Sequence, residues 1–176
     1  DAGALERKVV DYRTNLDSAV ISVGKKAVLR NEVEGLAKKV VTLKNEAMVA
    51  KVNEGIKGTL DEVKAISVAG DDTAVLSVNI GSDSKAIKRA IEEIKKVDNN
   101  MSFIGVTGDD SRISIFAVVT DAAQAKGMKA DEWVTEAISK FGGRGGGRPN
   151  MAQGSISDPS KITEILVEAK MYQSKF

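Results

Sequence analysis

Hydrophobic and polar positions follow two different periods along this chain. In the N-terminal third, apolar residues fall at Leu5, Val9, Tyr12, Leu16 and Ala19. The same four-three cadence resumes at Leu29, Val33, Leu36, Val40, Leu43, Ala47 and Ala50. Such spacing draws one stripe down a helix, and the positions between are largely Lys, Arg, Glu and Asn, as in the seam of two packed helices. Gly24, closing Ile21-Ser22-Val23-Gly24, supplies the break. Two antiparallel helices are therefore predicted, over about residues 3–20 and 26–66. Gly35, Gly55 and Gly58 each weaken the second by about 1 kcal/mol relative to Ala, so a bend or fraying is expected near 55–58.

After the turn cluster Ala69-Gly70-Asp71-Asp72 the period changes. Thr73 to Ile80 is a β-branched run of strand length. Ser82-Asp83-Ser84 caps a helix in which Ala86, Ile87, Ala90, Ile91 and Ile94 recur at helical spacing up to Val97. Met101 to Thr107 and Ser111 to Thr120 read as strands joined by a Gly108-Asp109-Asp110 turn. Asp121 to Lys129 reads as a polar loop. A helix opens at Lys129-Ala130-Asp131 and carries Trp133, Val134, Ala137 and Ile138, where Trp133 reads as core rather than as a base-stacking platform. Beyond Gly142 to Gly147 come a short strand, Met151 to Ile156, and a last helix from Pro159 capped by Asp158 or Ser157. The predicted fold class is α/β (α+β): a helical hairpin or coiled coil over residues 1–68, then a small sheet-and-helix globular domain over 69–176.

Composition mainly removes possibilities. The 176 residues include no His and no Cys. That excludes disulfides, thiolate and imidazole catalysis, and zinc sites built on those ligands. Carboxylate-held Mg²⁺ or Ca²⁺ and Lys or Tyr acid-base chemistry stay open. With aromatics at 4%, the core must be aliphatic. The net charge is +1, from 26 basic and 25 acidic side chains, so any nucleic-acid affinity must come from a local patch. No run approaches the ~20 apolar residues of a membrane span and no signal peptide opens the chain. A soluble, cytoplasmic protein is expected, and a fragment, because Asp1 rather than Met comes first.

Five of the 16 glycines fall in six positions, 142–147, and the only charges from Ala137 to Ser157 are Lys140, Arg144 and Arg148. Glycines free the backbone N–H groups to form an anion nest, and guanidinium groups give bidentate donors to phosphate. The segment therefore predicts an ordered binding loop of Gly142, Gly143, Arg144, Gly145, Gly146, Gly147 and Arg148, with Lys140 adding charge. Pro149 would stiffen its exit. Asn150 and Gln153 would either reach a base edge or sugar, or satisfy backbone groups within the turn. Known nucleotide loops do not fit. Arg148-Pro149 stands where a Walker A loop needs Lys-Ser/Thr, and no frame completes Gly-x-Gly-x-x-Gly.

Gly142-Gly143-Arg144-Gly145-Gly146-Gly147-Arg148-Pro149-Asn150-Met151-Ala152-Gln153-Gly154 resembles the Gly-Gly-x-Gly-Gly-Gly-Arg-Pro-x-x-Ala-Gln-Gly signature of the alanyl-tRNA synthetase family, in its small DHH-associated domain. Lys129 to Val134 resembles the helix ahead of that signature, and Leu16 to Leu43 its preceding coiled coil. The sister DHH phosphoesterases carry Gly-Gly-Gly-His and Ala-Ala-Gly, whereas this chain has Arg148 and Ala152-Gln153-Gly154. The resemblance implies a non-catalytic C-terminal domain that binds the elbow of tRNA(Ala) and helps couple aminoacylation to editing. Its partners would be that tRNA and the rest of the synthetase chain. Ligation and zinc-dependent editing would lie elsewhere, and no cofactor is expected here. Two alternatives stay open: an interaction module that homodimerises through the helical hairpin, and a nucleotide-binding accessory domain of a DHH-type phosphoesterase.

Overall fold

The computed structural model describes residues 2–19 and 22–176. The predicted helix end at residue 20 and Ile21 of the connecting segment lie outside the described residues. The chain divides into two compact units, residues 1–50 and 51–176.

In the first unit, α1 (Ala2–Ser18) runs antiparallel to the early part of α2 (Val23–Gly55). Two ion pairs fix the direction: Arg30 meets Asp17 at 3.1 Å and Lys44 meets Glu6 at 2.6 Å. Val9, Leu16, Val33 and Val40 are buried along the seam, as their spacing predicts. Tyr12, Leu29 and Leu43 from the same stripe stay exposed, because two helices share one contact line and leave the flanks of a wider stripe uncovered.

The second unit begins within α2. That helix stops at Gly55, and α3 (Lys57–Ala69) restarts after Ile56, so the bend predicted at 55–58 is a break. The remaining elements are β1 (Thr73–Ser77), α4 (Ser84–Val97), β2 (Ser102–Gly108), β3 (Ile113–Val118), α5 (Asp121–Ala125), α6 (Ala130–Ser139), β4 (Arg144–Arg148) and β5 (Met151–Ile156). A 3₁₀ turn (Pro159–Lys161) leads into α7 (Ile162–Gln173). β1 stops short of Ile80, whose N–H is taken by the Thr107 hydroxyl instead of a ladder partner. The stretch read as a polar loop after Thr120 contains α5: the Thr120 hydroxyl accepts from Ala123 N–H, and Asp121 in the first turn suits the helix dipole.

The sheet order is β1-β2-β3-β5-β4, with β1 and β2 parallel and every other pair antiparallel. Strand alternation sends Ile104, Ile113, Ile115, Ala152 and Ile156 to one face, where they pack with Trp133, Val134 and Ile138 of α6 and Ile165 and Ala169 of α7. Trp133 is fully buried, donates from Nε1 to the Ala169 carbonyl at 2.9 Å and stacks on Tyr172. It is core, and truncating it to Ala would cost about 3–5 kcal/mol. On the opposite face, Ala74, Leu76, Phe103 and Phe116 are buried under the apolar faces of α3 and α4.

Candidate nucleic-acid interface

The chain leaves α6 through a left-handed residue. Gly142 has φ +69°, its N–H bonds the Ser139 carbonyl, and the next N–H, of Gly143, bonds the Ile138 carbonyl. This pair of reversed bonds ends the helix and turns the backbone into the sheet. Residues Arg144 to Arg148 then form the edge strand β4, not the binding loop expected from the glycines. Gly142 is the only residue of 142–147 with positive φ, and an extended backbone cannot curl its N–H groups into an anion nest. The glycines serve close packing instead. A Cβ on Gly147 would lie 2.4 Å from the Met151 carbonyl oxygen and 2.5 Å from Ala152 Cα, and one on Gly145 would lie 2.8 Å from Val134 Cγ1 of α6.

Alternation gives the other face of β4 a different character. Arg144, Gly146 and Arg148 point away from α6, paired across the ladder with Ser155, Gln153 and Met151 of β5. All six residues of the strip are exposed, and a Cβ on Gly146 would meet nothing within 4 Å. The two arginines stand about 13 Å apart along the strand. Neither guanidinium has a hydrogen bond or ion pair among the described residues, and the same holds for the side chains of Gln153 and Asn150. Those two amides therefore do not satisfy the turn, which is held by main-chain groups: Pro149 C=O accepts from Ala130 N–H at 2.8 Å and Asn150 C=O from Val119 N–H at 3.0 Å.

Lys140 does not join this group. Its ammonium contacts both carboxylate oxygens of Glu168 on α7 at 2.8 Å, on the far side of the sheet. The predicted cluster of three cations is thus a strip of two, with the third neutralised elsewhere.

A cavity flanks each end of the strip. One, of about 280 Å³, is lined by Ser82, Ser84, Arg112, Arg144, Gln153 and Ser155. Arg112 is anchored by donating from Nη2 to the Ser82 carbonyl at 3.0 Å. The adjoining turn is tied by Asp109, whose carboxylate accepts from Ser111 Oγ–H, Ser111 N–H and Arg112 N–H; these bonds, the Ser111 hydroxyl foremost, hold its pKa far below the ordinary value. The other cavity, of about 430 Å³, is lined by Lys95, Asn99, Asn100, Thr120, Asn150 and Met151, among others. Asp98 fixes its Asn99-Asn100 turn by accepting from Ser67 Oγ–H at 2.6 Å and Asn100 N–H at 2.8 Å, and these bonds lower its pKa. Arg112, Asn99 and Asn100 carry no sequence motif, because the strand order brings them here from 30 to 50 residues away. Of the Lys95-Lys96 pair, Lys96 is held by Glu93 at 2.9 Å, while Lys95 has no partner among the described residues. Among the described residues no cluster of acidic side chains could hold a metal ion, and no helix is long and apolar enough to cross a membrane.

Comparison with known proteins bears on the family and the fold. The chain is 29% identical to the cytoplasmic alanine–tRNA ligase of Drosophila melanogaster over 99% of its own length and 18% of that protein. It therefore spans about a fifth of the relatives it matches. Among solved structures, the C-Ala domain of Aquifex aeolicus alanyl-tRNA synthetase matches 58% of this chain and 88% of that one, with 20% identity and a TM-score of 0.47. Exonuclease RecJ bound to manganese matches 83% of this chain and 33% of that one, with 13% identity and a TM-score of 0.53, a likeness of fold. Residues 70–175, the span that holds the whole sheet, match the DHHA1 domain. The chain belongs to the DHHA1 domain family, and its sequence is similar to part of alanine–tRNA ligases.

Proposed function

We propose that this chain is a non-catalytic, tRNA-binding part of a cytoplasmic alanine–tRNA ligase. The open face of β4–β5 would dock on the elbow of tRNA(Ala) and help couple aminoacylation to editing in the rest of the ligase. In this reading residues 69–176 carry the docking surface and residues 1–68 form a helical arm. The observation that carries it is the Arg144–Gly146–Arg148 strip: two unpaired guanidinium groups on a flat, unobstructed sheet edge, with the free amides of Gln153 and Asn150 beside them. A surface of this kind suits RNA, which is recognised through phosphates, 2′-hydroxyls and unstacked bases rather than through a groove.

The test is a titration of tRNA(Ala) across a salt series. Arg144→Ala combined with Arg148→Ala should weaken binding at least about tenfold and flatten the log–log salt dependence by about two, since each arginine stops displacing a counterion. Unchanged affinity and slope would remove the strip from the interface. A second reading is self-association through the helical hairpin, favoured by exposed Tyr12, Leu29 and Leu43 and by an apolar groove of about 480 Å³ lined by Leu16, Leu29, Val33 and Leu36. Sedimentation that shows a monomer at every concentration would dispose of it.

A further inference from the structure

At the Arg148 end of the strip, the fold gathers polar side chains that it does not itself use. Asn99 and Asn100 stand in the turn after α4, Asn150 in the β4–β5 turn, and Lys95 in the last turn of α4. None of these four side chains has a partner among the described residues. Asparagine in a turn commonly bonds its own backbone. Here that role is filled by others: Asp98 holds the first turn, and main-chain carbonyls hold the second. Three spare carboxamides therefore converge on one cavity of about 430 Å³, a volume in the range of small-ligand sites.

The rest of the lining narrows the ligand. Val118, Val119 and Met151 give an apolar wall, and Met151 is 40% exposed. A flat, unstacked base could rest on such a wall while carboxamides, each a donor and an acceptor, meet its edge. Asp121 adds a carboxylate, an acceptor for a 2′-hydroxyl or an exocyclic amine and a poor neighbour for a bare phosphate. Lys95 is the one cation in the lining, placed for a flanking phosphate. Arg148 sits directly across the ladder from Met151, so the phosphate strip runs into the cavity mouth.

We propose that this cavity receives the nucleoside of a single unpaired nucleotide, with Asn99, Asn100 and Asn150 contacting its base edge while Arg144 and Arg148 hold the neighbouring backbone. The assignment rests on the RNA-binding reading and deepens it, since it turns a phosphate platform into a site that grips a base.

The experiment probes the tRNA(Ala) transcript bound to the full 176-residue chain in two ways. Base edges are probed with dimethyl sulfate and a carbodiimide, and the backbone with hydroxyl radicals. The wild-type chain should protect at least one unpaired base together with the adjoining backbone. Asn99→Ala combined with Asn100→Ala changes only exposed side chains, and melting checks that it folds. This variant should lose the base protection, keep the backbone footprint and bind about 5- to 30-fold more weakly. Its salt slope should be unchanged, because neutral side chains displace no counterions. Arg144→Ala with Arg148→Ala should instead lose both footprints. A wild-type footprint confined to the backbone, or base protection that survives the asparagine substitutions, overturns the base cavity while leaving the strip intact. Full tRNA binding by the arginine variant removes the strip from the interface and the backbone grip from the proposal, and a wild-type chain that leaves no footprint on tRNA(Ala) overturns the RNA reading itself.

Discussion

Toward α6, the β4–β5 hairpin is closed. Gly145 and Gly147 lie so near Val134, Met151 and Ala152 that a single added methyl would collide with side chain or backbone. Toward the other face the same hairpin is open, with Arg144, Gly146 and Arg148 standing over Ser155, Gln153 and Met151 and no helix above them. One run of glycines thus does two jobs set by the two-residue period of a strand. The odd-numbered pair lets β4 approach its neighbours, and Gly146 keeps the floor between two arginines low. Glycine density alone does not mark a loop. What matters is which face each glycine serves.

This contrast predicts a graded series. Gly147→Ala pushes a Cβ into backbone that cannot move aside, and it should destabilise the fold by about 3 kcal/mol, read as a lowered unfolding midpoint. Gly146→Glu, one position away, should leave stability within about 0.5 kcal/mol of wild type. It should nevertheless weaken tRNA(Ala) binding at least about tenfold, by setting a carboxylate between the arginines. Equal loss of stability in the two variants would break the two-face account. Ser67→Ala tests the turn that presents Asn99 and Asn100. The Asp98 pKa lies below its unfolded value chiefly because Ser67 donates to it, so its stabilising effect is full above that unfolded value and is lost as pH falls through the folded pKa. The variant should melt roughly 3 °C lower at pH 7, with the gap closing below about pH 4. Lys140→Ala should do least, changing stability by less than about 0.5 kcal/mol and tRNA affinity by less than about threefold, because its charge is spent on Glu168 at an exposed position.

The sequence made the helical periods, the β-branched strands and the caps legible, because those signals are local. Trp133 with Val134 and Ile138 already read as core. Gly142-Gly147 announced itself as unusual, but its conformation was set by packing against α6 and β5, which flank it in sequence yet whose tertiary arrangement no local propensity encodes. Lys140 shares a charge cluster with Arg144 on paper, yet it caps the end of α6 while the turn at Gly142 carries Arg144 onto the sheet edge, and Glu168, 28 residues on, claims it. Arg112 and the Asn99-Asn100 turn come beside the Arg144–Arg148 strip only through the sheet order, since neither position has a motif of its own.

The most direct measurement of the central claim is photo-crosslinking to tRNA(Ala) from benzoylphenylalanine placed singly at Gly146, whose Cβ direction is open, and at Val167, which is exposed on α7 behind the sheet. The account predicts a crosslink from position 146 and none from position 167. A crosslink from 167 with none from 146 would contradict it.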